Sequence, residues 1–388
     1  MNHRLSLRRK LALDIVQSQY KELVRQHPLR QLFWECTLRC NLQCRHCGSD
    51  CRQTAQTPDM PFADFARVLD DVAAHTDPHQ VFVILSGGEP LMRADLAQCG
   101  RAIYEKGFPW GIVTNGYALT RRRFEELLQA GMHTLTISLD GLEANHDWMR
   151  GRKGSFQKAA QAIAMAARFS KTGTLTEATP GSDVTPASDC LPAKPKRPLG
   201  FDVVTCVNRR NLDELPQIRD FLCSMGVREW RLFTVFPAGR AAQDPELSLD
   251  GAQLRQLLEF IRTTRRQSED IRPSFACEGF LGNFEGEVRD HFYSCQAGIT
   301  VGSVLADGAI SACASIRSDY HQGNIYRDRF WEVWEKRFEP YRDRSWARKD
   351  DCADCRFFKY CQGGGMHLRD GEGKLLQCAW QKLEKDQA

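Results

Sequence analysis

A regular alternation of short β-rich runs and longer amphipathic runs begins at residue 31, and it constrains the fold more than any other feature. The predicted strands are 31–36, 80–85, 109–114, 133–139, 200–207 and 228–235, and the predicted helices are 62–75, 94–106, 121–130, 155–170, 211–225 and 250–267. The helical runs repeat apolar residues three and four positions apart, whereas the strand runs are rich in β-branched and aromatic residues. Six β/α units in series predict an α/β fold with a parallel sheet, a closed or partial (β/α)6 barrel of the TIM type. Its functional loops would lie at the carboxyl ends of the strands.

The composition fits a globular protein of two domains. The 388 residues are 42% hydrophobic and 26% charged, which is enough to bury a barrel-sized core. Lys and Arg number 53 against 49 Asp and Glu, so the net charge of +4 is well below that of a dedicated nucleic-acid binder. No apolar run reaches 18 residues, and the amino terminus lacks a secretion signal. We therefore expect a cytoplasmic protein with no membrane span and no nucleic-acid partner.

Sixteen cysteines in a chain without an export signal point to metal binding rather than to disulfides, because cytosolic thiols stay reduced. Cys99, Cys206 and Cys223 lie inside apolar periodic segments and are predicted to be small core residues. Most of the other cysteines gather around a loop after the first strand and in the last third of the chain, and Cys190 lies alone between these two groups.

Three regions follow from this pattern. Residues 1–30 carry seven Lys or Arg against two Asp or Glu and form a basic helical segment. Residues 31–268 form the barrel, interrupted at 171–199 by a stretch of Thr, Pro, Ser and Lys without periodicity, which predicts a disordered insert. From 269 to 388 the rhythm stops and cysteine density rises, which predicts a second, metal-dependent domain.

The loop after the first strand holds Cys40, Cys44 and Cys47 in a C-x3-C-x2-C pattern. Three thiolates with these gaps can hold three corners of an iron–sulfur cube and leave the fourth iron without a protein ligand. A closed zinc site is the alternative, with its fourth ligand drawn from His46, Cys36 or Cys51.

Three further strand ends carry residues suited to a small ligand. The motifs are "SGGEP" with Gly87, Gly88 and Glu89, "TNG" with Thr114 and Asn115, and "SLDG" with Ser138 and Asp140. The two glycines allow close backbone approach to a ligand, and the carboxylate that follows favours a cation. A hydroxyl and a carboxylate two residues apart share a strand face and suit a ribose or an amino-acid head group.

Together these motifs resemble those of the radical S-adenosylmethionine (SAM) enzymes, over most of residues 31–240, with "HDWMRGRKGSF" as a further match. The resemblance implies that Cys40, Cys44 and Cys47 hold a [4Fe–4S] cluster whose open iron is chelated by the amino and carboxylate groups of SAM. It also implies a set of SAM-binding residues: Gly87, Gly88, Glu89, Pro90, Thr114, Asn115, Ser138, Asp140, Arg150 and Arg152. In this set Gly87 to Glu89 would receive the amino group, and Arg150 or Arg152 would meet the carboxylate.

The last third of the chain resembles the SPASM domain, which carries auxiliary clusters in radical SAM enzymes. The resemblance implies one auxiliary [4Fe–4S] cluster on Cys352, Cys355, Cys361 and Cys378. A second would use Cys295 and Cys313, but Gly365 stands where SPASM domains usually have a cysteine. Cys277 then joins these two, His367 completes the set, or the second cluster is absent.

The implied chemistry is reductive cleavage of SAM to a 5′-deoxyadenosyl radical, which abstracts hydrogen from a peptide or protein. A ribosomal-peptide maturase that forms a thioether or carbon–carbon crosslink is the first expectation. The alternatives are an anaerobic sulfatase maturase, a tetrapyrrole or other cofactor-synthesis enzyme, and, outside catalysis, an iron–sulfur electron carrier or zinc-stabilised binding module. The expected partners are the substrate, a flavodoxin or ferredoxin reductant and a separate leader-recognition protein. The residues do not identify a general acid or base.

Overall fold

A computed structural model describes residues 5–175, 199–276, 279–316 and 320–385. Its ten strands are β1 (Gln31–Thr37), β2 (Phe82–Gly87), β3 (Trp110–Thr114), β4 (Met132–Ser138), β5 (Gly200–Val207), β6 (Glu229–Thr234), β7 (Arg272–Phe275), β8 (Val301–Val304), β9 (Ala309–Ser311) and β10 (Gly323–Asn324). The main helices are α1 (Leu7–Gln26), α2 (Phe62–Ala73), α3 (Leu96–Glu105), α4 (Arg121–Gln129), α5 (Glu143–Arg150), α6 (Ser155–Thr172), α7 (Leu215–Ser224) and α8 (Gly251–Gln267). Four short helices follow: α9 (Phe330–Lys336), α10 (Glu339–Arg342), α11 (Phe358–Cys361) and α12 (Ala379–Lys385).

All ten strands belong to one sheet, in the order β10-β9-β8-β1-β2-β3-β4-β5-β6-β7. Strands β1 to β7 are neighbours in chain order and pair in parallel, as in the register Trp34↔Leu85 between β1 and β2. The six predicted strands and the α/β class are therefore confirmed. The parallel series extends one strand further than predicted, because β7 pairs with β6.

The cysteine-rich region adds strands to the opposite edge of this sheet. Strand β8 pairs in parallel with β1, and β9 and β10 follow in antiparallel pairs. Hydrogen bonds thus join the carboxyl-terminal region directly to the first strand of the barrel. The division at residue 268 remains a prediction from the sequence.

The core lies between the sheet and its helices. Along the strands, side chains such as Trp34, Trp110 and Trp230 are fully buried on the helix side, since alternate residues of a strand face opposite sides. Helix α2 buries Phe65, Val68, Leu69 and Val72, spaced three and four apart as the sequence predicts for an amphipathic helix. The opposite face of the strands forms the inner side of the partial barrel.

The amino-terminal helix α1 packs against the carboxyl-terminal region. The Tyr20 hydroxyl donates to the carbonyl of Cys295 (3.1 Å), and the Tyr360 hydroxyl donates to Asp14 (3.0 Å). Helix α6 continues to Thr172, two residues into the predicted insert, whereas residues 176–198 lie outside the described part of the chain.

Candidate active site

Residues 38–52, which follow β1, form the loop that carries the first three cysteines, and its two ends are hydrogen-bonded to each other. The Cys40 amide donates to the Arg52 carbonyl at 2.7 Å, so the loop closes on itself. Arg240, after β6, donates through Nε to the Cys44 carbonyl (2.7 Å) and through Nη1 to the Cys51 carbonyl (3.2 Å). Arg240 therefore links the segment after β6 to this loop, which we call the cluster loop.

The three thiols of Cys40, Cys44 and Cys47 line a single cavity of about 150 Å³ at the carboxyl ends of the strands. The predicted SAM-binding residues that also line it are Gly87, Gly88, Glu89, Thr114, Asn115, Ser138 and Arg150. Its remaining walls are Leu42, His46, Cys51, Ser86, Val113 and Arg240. Strand ends far apart in sequence thus meet at one place, as the parallel sheet predicts.

Two sulfur atoms of this cavity are near N–H donors. Asn115 Nδ2 lies 3.9 Å from Cys40 Sγ, and Arg150 Nη1 lies 3.7 Å from Cys44 Sγ. Donors placed at sulfur stabilise the negative charge of a thiolate ligand. Three thiols on one wall, with donors behind two of them, fit a cluster bound through cysteine thiolates.

Glu89 is almost fully buried, and its carboxylate is held by three donors. Its Oε1 accepts hydrogen bonds from the Thr114 hydroxyl (2.6 Å) and the Leu91 amide (3.1 Å), and Oε2 accepts from the Asn115 amide (2.8 Å). Burial raises the pKa of this carboxyl group, and these donors oppose the rise. Glu89 therefore ties the end of β2 to the end of β3.

The two glycines of the same motif also pack closely against the backbone of the cluster loop. A Cβ at Gly87 would lie 2.0 Å from the Thr37 carbonyl oxygen, and a Cβ at Gly88 would lie 2.3 Å from that of Arg39. The Gly88 amide donates to Thr37 O at 2.7 Å. These glycines thus allow close approach to the backbone at the start of the cluster loop, and both also line the cavity.

Ser138 and Asp140 do not face the same space, although the sequence pattern placed them on one strand face. Strand β4 ends at Ser138, which lines the cavity, and Asp140 lies beyond it. Asp140 Oδ2 is 2.7 Å from Arg150 Nε, and Oδ1 accepts from the Cys206 amide (2.9 Å). Although burial opposes it, the nearby guanidinium lowers the pKa of this carboxyl group. Asp140 therefore holds Arg150 in place behind Cys44.

Besides Asp140, two predicted SAM-binding residues do not line the cavity. Pro90 is buried as the first residue of a short 3-10 helix, Pro90–Met92. Arg152 is more exposed; it donates to the Asn41 carbonyl (2.9 Å) and its guanidinium lies 4.1 Å from the centre of the Tyr117 ring.

The remaining cysteines near the loop differ in position. Cys51 lines the cavity, and a hydrogen bond with its thiol lowers the pKa of Cys47 to about 5. Burial raises the pKa of Cys40 to about 12. Cys36 is fully buried near the end of β1 and donates to the Ser86 carbonyl (3.3 Å), so it packs in the core and does not line the cavity.

Arg240 was not identified from the sequence, although its side chain contacts the cluster loop at three points and its amide donates to the Cys47 carbonyl (3.0 Å). Besides the two carbonyls, its Nη1 lies 2.6 Å from Asp50 Oδ1. A Cβ at the preceding Gly239 (φ +57°) would lie 2.4 Å from the Cys47 carbonyl. The only sequence signal is a Gly-Arg pair just after the sixth predicted strand. Like the other predicted site residues, this pair follows the carboxyl end of a strand.

The four cysteines assigned to an auxiliary cluster also share one cavity. Cys352, Cys355, Cys361 and Cys378 line it together with Phe280, Leu368 and Trp380. The Arg369 guanidinium is buried beside it, with Nη2 3.6 Å from Cys352 Sγ. Burial raises the pKa of Cys361 to about 12. A tetrathiolate set with a cation next to it fits a second cysteine-bound cluster.

Four positions were considered for another auxiliary cluster, and the structure describes three of them. Cys295 and Cys313 both lie near the buried phenol of Tyr341, whereas Cys277 lies outside the described part of the chain. His367 instead packs edge-to-face against Phe236, with ring centres 5.0 Å apart. Phe236 also faces Gly48 of the cluster loop. His367 is thus placed between the carboxyl-terminal region and the mouth of the barrel.

Two protein-family profiles match the chain. The Radical SAM superfamily profile matches residues 34–185, and the profile of the SPASM iron–sulfur cluster-binding domain matches residues 295–356. Together they support [4Fe–4S] clusters and SAM as cofactors.

Curated relatives match over most of the chain. An AdoMet-dependent heme synthase and an Fe-coproporphyrin III synthase of Methanosarcina barkeri are each 26% identical, over 90% and 85% of this chain and 94% and 81% of their own lengths. The mycofactocin maturase MftC of Mycolicibacterium smegmatis is 28% identical over 86% of this chain and 77% of its own.

Among solved structures, native anSMEcpe with bound AdoMet superposes with a TM-score of 0.66 at 17% identity, covering 93% of this chain and 95% of its own. No helix among the described residues is long and apolar enough to cross a membrane. The sequence motifs, the shared cavity and the two profiles agree, and this chain is a radical SAM superfamily enzyme with a carboxyl-terminal SPASM domain.

Proposed function

We propose that Cys40, Cys44 and Cys47 hold the cluster that binds SAM. The observation that carries this proposal is that all three thiols line one cavity with Glu89, Asn115, Ser138 and Arg150. When bound, the cluster and SAM supply one-electron reductive cleavage, which yields methionine and a 5′-deoxyadenosyl radical. An electron donor such as a flavodoxin or ferredoxin supplies the electron.

The residues around the cavity hold the three cysteines in place and line the space for SAM. Glu89 fixes the backbone of Asn115, whose amide group then donates to Cys40 and to Asn41 Oδ1 (2.8 Å). Arg150, held by Asp140, donates to Cys44. Ser138 and the Gly87–Gly88 backbone line the part of the cavity where the ribose and amino group of SAM would bind.

We assign one auxiliary cluster to Cys352, Cys355, Cys361 and Cys378, with an electron-accepting role after substrate oxidation. The expected total is therefore about eight irons per chain, in two [4Fe–4S] clusters. The experiment is an iron and sulfide count on anaerobically reconstituted protein, beside a Cys40→Ala/Cys44→Ala/Cys47→Ala variant. Loss of about four irons together with all 5′-deoxyadenosine formation supports the assignment. Zinc in place of iron would refute the assignment of iron–sulfur clusters. A count of about twelve irons would require a further cluster.

For the substrate, the first candidate is a tetrapyrrole whose carboxylate-bearing side chain is oxidised. It is supported by the heme synthase relative, which this chain matches over almost the whole of both lengths. This order differs from the one that the motifs alone favoured. Fe-coproporphyrin III serves as the probe, because it is a haem-type tetrapyrrole with carboxylate side chains. Expected results are a shift of its Soret band on binding and a SAM-dependent change of its mass.

The second candidate is oxidative modification of a peptide, as the sequence first suggested. The mycofactocin maturase, at 28% identity over 86% of the chain, favours it. The two candidates separate in one measurement, since a peptide-modifying enzyme would leave the Soret band and the porphyrin mass unchanged while still cleaving SAM.

A further inference from the structure

The cavity that holds the three ligand cysteines contains a fourth thiol, that of Cys51. Cys51 is 4% exposed and lines the same cavity as the three ligand cysteines, and its thiol donates to the Ser49 carbonyl at 3.9 Å. Its sulfur is therefore near the site that the proposed cluster would occupy. Cys36, at the same sequence distance from the motif on the other side, does not line the cavity and donates instead to the Ser86 carbonyl.

The position of Cys51 is fixed by the fold. Arg240 Nη1 donates to its carbonyl, and the next residue, Arg52, accepts the hydrogen bond of the Cys40 amide. Asp50, immediately before it, has φ +48°, a left-handed conformation that turns the chain at this point. The loop thus returns to its own beginning and brings the fourth sulfur to the first three.

Four thiols around one cavity form a complete donor set for a cubane cluster, whereas SAM needs one iron without a protein ligand. We propose that Cys51 is the fourth ligand of the first cluster in the absence of SAM, and that SAM displaces it. This inference rests on the proposed role of Cys40, Cys44 and Cys47. In the exchange, the iron–sulfur bond to Cys51 is replaced by bonds to SAM, the released thiolate takes up one proton, and no electron is transferred.

Displacement makes the apparent affinity for SAM depend on the fraction of protein in which Cys51 is detached. The apparent Kd is the intrinsic Kd divided by that fraction, so a cluster that is about nine-tenths closed binds SAM about ten-fold more weakly than an open one. A closed cluster also protects its fourth iron, whereas an open one loses that iron readily in air and becomes [3Fe–4S].

The test compares Cys51→Ala, Cys51→Ser and Cys36→Ala in the reconstituted full-length protein. Serine keeps the volume and the hydrogen-bond donor but is a poor iron ligand. We expect both Cys51 variants to retain the parent iron count, to bind SAM about ten-fold more tightly, and to form the [3Fe–4S] electron paramagnetic resonance signal faster in air. Cys36→Ala should match the parent in both measurements.

Two results would overturn the inference. If Cys51→Ser behaves like the parent while Cys51→Ala differs, Cys51 acts only as a hydrogen-bond donor to Cys47. If both variants bind SAM and lose iron like the parent, Cys51 only packs beside the site. A parent protein that holds no [4Fe–4S] cluster or does not bind SAM would instead refute the proposed function, so the two failures are distinct.

Discussion

Arg369 brings a buried positive charge to the auxiliary cavity, with Nη2 3.6 Å from the sulfur of Cys352. The guanidinium is held by the carbonyls of Gly363 (2.7 Å) and Gly373 (2.5 Å), so it cannot turn away from the sulfur. Hydrogen bonds and positive charge at a cysteine ligand stabilise the reduced form of a cluster. Arg369 therefore belongs to the electronic environment of this site as well as to its packing.

We predict that Arg369→Gln lowers the reduction potential of the auxiliary cluster. Loss of the charge destabilises the state with one more electron, and a ten-fold change in that equilibrium corresponds to about 59 mV. A fall of roughly that size should appear in a redox titration followed by electron paramagnetic resonance. The titration is made in the Cys40→Ala/Cys44→Ala/Cys47→Ala background, which isolates the auxiliary cluster.

Arg369→Lys is the matched control, because it keeps the charge and loses the planar fork. Its potential should lie between those of the parent and Arg369→Gln. Equal potentials in all three proteins, at equal iron content, would show that Arg369 only supports the glycine turn.

His367, at the barrel mouth, makes the free energy of unfolding depend on pH. Burial lowers its pKa from an ordinary value of 6.5 to about 4, so it stays neutral in the folded protein. A lowered histidine pKa contributes stability that is present above the unfolded value and is lost as the pH falls towards the folded one. Between pH 7.5 and 5.5 the parent should lose about 1 kcal/mol more unfolding free energy than His367→Phe.

The phenylalanine variant keeps an aromatic ring against Phe236 and removes the titration. Other histidines contribute equally to both proteins and cancel in the difference. Denaturant unfolding at several pH values measures this difference in unfolding free energy. If the unfolding free energies of the two proteins change equally with pH, His367 is already solvated in the folded state.

The sequence was sufficient for the architecture and for most of the first cavity. Strand order could be inferred because each β/α unit places its strand beside the preceding one, and the motif residues therefore meet at one edge of the sheet. The return of β8 to pair with β1 could not be inferred, because four residues without a strong pattern carry no signal of their partner. The orientation of Asp140 was missed because the period-two argument ends where the strand ends, at Ser138.

Arg240 should matter more to the cluster loop than a surface arginine bound to the same carboxylate. Arg240→Ala removes bonds to the Cys44 and Cys51 carbonyls and to Asp50, at a cost of about 2 to 3 kcal/mol. Arg52→Ala removes only an exposed contact to Asp50, which solvent screens, so its effect on stability should be small. We expect faster chelator-driven loss of the first four irons in Arg240→Ala alone, and equal rates in both variants would contradict the anchoring role.

Arg150 and Asp140 form a buried ion pair behind Cys44. We predict that the loss of unfolding free energy depends on which partner is replaced. Arg150→Met leaves the buried Asp140 carboxylate with only the Cys206 amide and His46 beside it, which costs about 3 to 5 kcal/mol because its desolvation is no longer fully offset. Adding Asp140→Asn to that variant removes the uncompensated charge, so part of the lost unfolding free energy should return. Thermal unfolding of the parent, the two single variants and the double variant closes the cycle. Strict additivity of the two single changes would show that the residues do not interact. Asp140 would then not be what holds Arg150 beside Cys44.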